Sequence, residues 1–146
     1  MSGFSTDLLT GLAQYLEDAG IGTWAAGAAY SAAETGIVLG TLPTEPANAI
    51  ALMTYPVSDH VSLSDSVIGV QIRTRTAGQD QRTTDDLDDA IFALLHGSQH
   101  LVLSTGVHIV QCGRTSGAPL GQDESGRWER SSNYYCSVHR PSANRT

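Results

Sequence analysis

The sequence predicts a single α+β domain, with a mostly antiparallel or mixed sheet and two main helices packed on one face. Three observations predict it. Two segments repeat apolar residues at the helical period, one near the N-terminus and one after residue 83. Several other segments alternate or run apolar as strands do, with turn residues between them. The 146 residues, 40% hydrophobic and 16% charged, are enough for one core and few for two. The domain is expected over residues 1–140, with 141–146 as a polar C-terminal tail.

The first helix follows Ser5, its expected N-cap, with Asp7 in the first turn and Phe4 and Leu9 placed as a hydrophobic staple. Leu8, Leu9, Leu12, Ala13, Tyr15, Leu16 and Ala19 make its apolar face, Gly11 lies on the other side, and Gly20 stops it. Residues 21–35, interrupted by Gly22 and Gly27, are expected to be irregular, with Trp24 and Tyr30 pinning them to the core. A short strand follows at Gly36–Leu39. After the turn "LPTEP", Ala49–Tyr55 is a well-covered strand that Pro56 ends. "VSDHVSLSDS" is expected to be a polar loop. Val67–Thr76 alternates clearly, with Ile68, Val70 and Ile72 on one face and Gln71, Arg73 and Arg75 on the other.

In "TTDDLDDAIFALLHG", Thr83 or Thr84 is the expected cap. Asp85, Asp86, Asp88 and Asp89 then crowd the positive end of the helix, outside a buried stripe of Leu87, Ala90, Ile91, Leu94 and Leu95. Asp85, Asp88 and Asp89 share one side, but no nearby histidine, asparagine or further acid completes a metal site, so helix-end electrostatics is the preferred reading. Gly97 ends the helix. The last third reads as a long hairpin: a short run, a strand at Val107–Arg114, the connection "APLGQDESGRW" with its tip near Ser125-Gly126, and a return strand closed by Pro141. On that strand Tyr134, Cys136 and Val138 share a face opposite Tyr135, Ser137 and His139.

Composition narrows the function. A net charge of -7 makes a phosphate backbone an unlikely tight ligand. All eight basic residues are arginine. No stretch approaches a membrane span, and "MSGFSTDLL" has neither a basic start nor a long apolar core, so a soluble protein made in a cytoplasm is expected. Cys112 and Cys136 form no CxxC or zinc pattern; buried free thiols are the preferred reading, and both fall in strands that could be neighbours. His60, His96, His100, His108 and His139 show no HExxH. The sequence also lacks a GxSxG elbow, a phosphate loop and a correctly spaced GxGxxG. No catalytic residue, metal ligand or cofactor is assigned. Arg73, Arg75 and nearby Arg82 are too few for a nucleic-acid surface. What stands out is the length of the expected loops at 21–35, 56–66 and 113–127, which suits contacts with neighbours.

The stretches "ALMTYPVSD", "LSDSVIGVQIRTR", "DQRTTDDLDDAIFALLHG" and "RTSGAPLGQDESGRWERSSNYYCSVHRPSANR", in that order, resemble the small tail terminator proteins of long-tailed bacteriophages that infect actinobacteria, often described as minor capsid proteins. The resemblance is strongest from residue 49 onward and weak over 21–35. It implies a structural virion protein with a sheet and flanking helices. Such a protein caps the tail tube as a ring, typically a homohexamer, ends tube polymerisation and presents the head-tail joining surface. Its implied partners are itself, the tail tube protein and a head-tail connector or completion protein, with genomic DNA passing through unbound and no membrane. Its implied place is the head-proximal end of the tail, after assembly in the host cytoplasm.

On that reading Arg73, Arg75 and Arg82 are candidates for salt bridges to a neighbouring subunit or the tube. Asp85, Asp86 and Asp89 are candidate counter-charges, and Trp128 with the surrounding "GQDESGRWER", including Arg130, is a candidate docking loop. Three other readings remain: a head-completion or connector protein of the phage neck, a non-viral adaptor of similar fold, and a shallow hydrolytic site built from His108, His139 and Asp123.

Overall fold

The computed structural model describes residues 2–25 and 28–146. Among them the elements are α1 (Phe4–Asp18), β1 (Thr23–Trp24), β2 (Gly36–Leu39), β3 (Ala49–Asp59), β4 (Asp65–Arg75), α2 (Gln81–Leu95), β5 (Gln99–Val102), β6 (His108–Gln122) and β7 (Trp128–His139). The strands form one seven-stranded sheet in the order β1-β2-β3-β4-β7-β6-β5. β1, β2 and β3 run parallel, and every other pairing is antiparallel. This is the predicted α+β class, with both helices on one face of a mixed sheet.

Helix α1 buries Leu8, Leu9, Leu12, Ala13 and Leu16 as its period requires. Its N-cap is Gly3, without a side-chain cap bond, so Ser5 lies inside the helix rather than before it. Gly20, at φ 78°, closes the far end: its N–H donates to the Glu17 carbonyl, and that of Ile21 to the Leu16 carbonyl. Gly11 corrects the sequence reading. It is buried rather than on the far side, and a Cβ there would stand 2.7 Å from Leu103 Cβ and from Thr105 Oγ1. The turn between β5 and β6 lies against the helix at this point, and Thr105 Oγ1 donates to the Asp7 carbonyl at 2.6 Å.

The segment expected to be irregular contains β1, and Ala26 and Gly27 within it lie outside the described residues. Trp24 packs against the core, and the Tyr30 hydroxyl donates to the Ile37 carbonyl. The parallel β2–β3 pair is joined by residues 40–48, which form no helix. Arg75 satisfies this crossover from within. Its guanidinium donates to the carbonyls of Pro43 (2.6 Å), Pro46 (2.9 Å) and Ala47 (2.9 Å) while the residue is only 3% exposed. Burial lowers its pKa from the ordinary arginine value.

Two expected loops are mostly strand. β3 does not end at Pro56 but continues to Asp59 through a bulge between Pro56 and Ser58; a bulge is where a strand accommodates a residue that cannot donate. Residues 113–122 likewise belong to β6, pairing with β7 through shifts at Arg114/Ser116 and Pro119/Gly121. Only the tip matches the predicted connection: the Asp123 carboxylate accepts from the N–H groups of Ser125 and Arg127 and from the Arg127 guanidinium.

Helix α2 starts earlier than predicted. Asp80 is the N-cap, its carboxylate accepting from Arg82 N–H at 3.0 Å, so neither Thr83 nor Thr84 caps it. The aspartates therefore fall beyond the first turn, and they do not all lie outside the buried stripe. The buried residues are Thr84, Asp88, Ile91 and Leu95, while Ala90 is exposed. Among the described residues no helix is long and apolar enough to cross a membrane.

Candidate functional site

Register assigns the sheet's open face. The buried Ile68, Val70 and Ile72 of β4 point toward the helices, so Val67, Gly69, Gln71 and Arg73 point away. Their partners complete the rows: Met53, Gln71 and Asn133; then Tyr55, Gly69, Tyr135 and Gly113. The Tyr55 ring lies over Gly69, where any Cβ would strike it, and its hydroxyl sits 3.4 Å from Asn133 Oδ1. Burial, then the neighbouring Tyr135, raises the Tyr55 pKa. Met53, Tyr55, Val57, Val110 and Tyr135 remain substantially exposed around this band. The middle of the face is uncharged. The alternation of Met53, Tyr55 and Val57 is the signal for this band in the sequence, and Pro56 within it obscures the strand's continuation.

Two hairpins carry further exposed apolar groups at opposite ends of the sheet. At the β3–β4 tip Val61 is 90% exposed and Leu63 50%, while His60 Nδ1 accepts from the N–H groups of Ser62 and Leu63. An open cleft of about 670 Å³ lies beside it, bordered by Val61, Val67, Val110 and Val138. The C-terminal residues fasten to this end: Arg145 donates to the carbonyls of Leu63 (2.8 Å) and Asp65 (2.9 Å) and to Ser66 Oγ. On β6, Thr115–Leu120 is exposed and uncharged. β5 pairs only with the earlier part of the strand, so this stretch is a free sheet edge among the described residues.

The predicted charged candidates separate into groups. Arg73 pairs with Glu129 of the same chain at 3.0 Å, and Arg75 is consumed by the crossover carbonyls. Arg130 pairs with Asp85 at 3.1 Å and lies 3.6 Å from Asp88. Arg82 bonds its own cap, Asp80. Asp86 and Asp89 are exposed and have no charged partner among the described residues. Trp128 is half-buried, its Nε1 donating to the Gln79 carbonyl at 2.9 Å.

Sequence reasoning missed Asp88. Its carboxylate, 1% exposed, accepts from Ser132 Oγ at 2.8 Å and pairs with Arg114 at 3.4 Å, tying α2 to β6 and β7. Burial and the nearby Asp88 charge raise the pKa of Tyr134 beneath it.

The arrangement offers surfaces rather than a reaction centre. His108 and His139 are register partners, but Asp123 lies past the opposite end of the same strand pair, so the hydrolytic trio does not converge. His96 stacks on Phe92 beyond the end of α2, whereas His100 is on β5. Among the described residues no group of three or more His, Cys, Asp and Glu could hold a metal ion.

No curated protein matches the chain. One solved structure that matches is a chain from the virion of a native gene transfer agent particle, with TM-score 0.54 and 18% identity, covering 69% of this chain and 77% of that one. At that identity the likeness is one of fold. Residues 15–140 match the family described as bacteriophage tail terminator protein. That match spans both hairpins, the open sheet face and all of α2, and with it the chain belongs to the bacteriophage tail terminator family, the structural proteins of a viral tail.

Proposed function

We propose that this chain closes into a ring on the head-proximal end of the tail tube, halts tube growth and presents the surface that the head connector or completion protein joins. The observation that carries this reading is the family match over residues 15–140. The geometry supports it. Exposed apolar groups at opposite ends of one sheet, Val61 and Leu63 at one and Leu120 at the other, suit head-to-tail contacts, and head-to-tail contacts form a ring when their rotation closes. The uncharged band around Met53, Tyr55 and Tyr135 suits a tube or neighbour contact anchored by aromatic side chains. Of the charged and aromatic candidates, Asp86, Asp89 and Arg82 are exposed and Trp128 is half-buried, and these remain for such contacts. A net charge of -7 favours passage of DNA without adhesion.

The test is the mass and shape of the purified protein with and without its tail tube protein, by light scattering and negative-stain microscopy. A hexameric ring, or a cap at one tube end that stops growth, supports the reading. A stable dodecamer transfers the chain to a connector or head-completion role. Absence of both ring and tube binding contradicts it.

A further inference from the structure

Cys112 and Cys136 occupy facing positions on β6 and β7, both 1% exposed, with the Cys136 thiol donating to Cys112 Sγ at 3.4 Å. The backbone shows which kind of pair this is. Cys112 N–H donates to the Ser98 carbonyl, and its own carbonyl accepts from Gly97 N–H, so both groups point away from β7. Cys112 and Cys136 are therefore a non-hydrogen-bonded antiparallel pair, in which Cα atoms approach to roughly 4.5 Å. That spacing lies within the range a disulfide spans without moving the backbone.

We propose that this pair is a peroxide-responsive site that closes into an intrachain disulfide, bracing the β6–β7 arm. The two sulfurs are not equivalent. Cys136 gives its hydrogen bond to Cys112, which lowers the Cys112 pKa, while the same bond, burial and the Cys112 charge raise that of Cys136. Cys112 lies beside the turn at Gly97 and Ser98, while Cys136 is on β7, held between β4 and β6, so Cys112 is the attacking thiol and Cys136 the resolving one. In the first step the Cys112 thiol takes one oxygen from hydrogen peroxide, forming a sulfenic acid and releasing water. In the second, Cys136 Sγ attacks that sulfur, the S–S bond forms and the hydroxyl leaves as a second water. The two thiols are oxidised by two electrons and the peroxide is reduced by two.

Both sulfurs lie in the hydrophobic core, so access requires local opening. The outward neighbours of Cys112 are Gly97 and Ser98, in the turn between α2 and β5, and local opening of that turn admits a small uncharged oxidant. The link would join residues 24 apart, closing a loop that contains the whole exposed arm. Cytoplasm keeps such pairs reduced, whereas oxygenated surroundings outside a cell do not. The chemistry is independent of ring formation.

The experiment treats the reduced full-length protein with hydrogen peroxide, then unfolds it, alkylates it and measures intact mass. The expected result is loss of both alkylatable thiols, a mass lower by two hydrogens, and a monomeric chain with one peptide pair joined through Cys112 and Cys136. The oxidised form should melt higher by about 5 °C. Cys136→Ser should leave a sulfenic acid at Cys112 that dimedone traps, while Cys112→Ser should react at least about tenfold more slowly. Two thiols still alkylatable after treatment, or links only between chains, would overturn the site. Equal reactivity of the two variants would overturn the assigned order, and an unchanged melting temperature would overturn the bracing.

Discussion

Helix α1 meets the sheet with Leu8, Leu9, Leu12, Ala13 and Leu16, whereas α2 meets it with Ile91 and Leu95 beside the buried polar pair Thr84 and Asp88. Both helices have 15 residues and both join one core, so the difference is in how each is held. The first is held by apolar area, on the order of 1.5–3 kcal/mol for each fully buried leucine. The second is held as much by direction: Asp88 reaches Ser132 and Arg114, and Thr84 shares a hydrogen bond with Thr76 and donates to the Trp128 carbonyl. An apolar face tolerates small slips, while a buried carboxylate with fixed partners does not. The helix tied to both β6 and β7 by polar side-chain contacts is this second one.

The largest expected effect sits on the apolar side. Leu12→Ala should cost about 3 kcal/mol, seen as a lower urea midpoint at unchanged slope. Next is Asp88→Ala, about 2 kcal/mol, because it strands the Ser132 hydroxyl and releases Arg114 and Arg130. Asp88→Asn, which retains an acceptor for Ser132, should lose less. A double-mutant cycle of Asp88→Ala with Ser132→Ala should show coupling of about 1 kcal/mol; zero coupling would remove the polar half of the contrast. Gly11→Ala is a finer probe. Helix propensity alone favours alanine by about 1 kcal/mol, yet the contact with Leu103 and Thr105 should reverse the sign, a net loss of about 1 kcal/mol in thermal or urea unfolding. Smallest is Asp86→Ala, within about 0.5 kcal/mol for stability, so any loss of assembly it causes belongs to an interface.

The same contrast explains what was legible in the sequence. Seven apolar positions at one period announce α1, and the Tyr134, Cys136, Val138 alternation announces the buried face of β7. In "DDLDD" the buried Asp88 is chemically identical to the exposed Asp86 and Asp89, and only tertiary partners distinguish it. The buried stripe on α2 is consequently rotated from the apolar one, and Ala90 faces solvent. The environment of Gly11 is not legible locally, because it is made by a turn some 90 residues away. Proline and glycine usually interrupt strands, so Pro56 and the "TSGAPLG" stretch predict breaks; bulges let β3 and β6 pass through them. The surfaces offered for assembly lie on those extensions. Arg75 shares the outward face with Arg73, yet it is buried there as the plug of an irregular crossover, which no local pattern announces.

The most direct test of the central claim is electron microscopy of tails assembled in cells with and without this chain. Capping predicts that its removal yields tubes of excess and irregular length with no heads attached, and that supplying the chain restores a uniform length. Tails of normal length, joined to heads in its absence, would contradict the account.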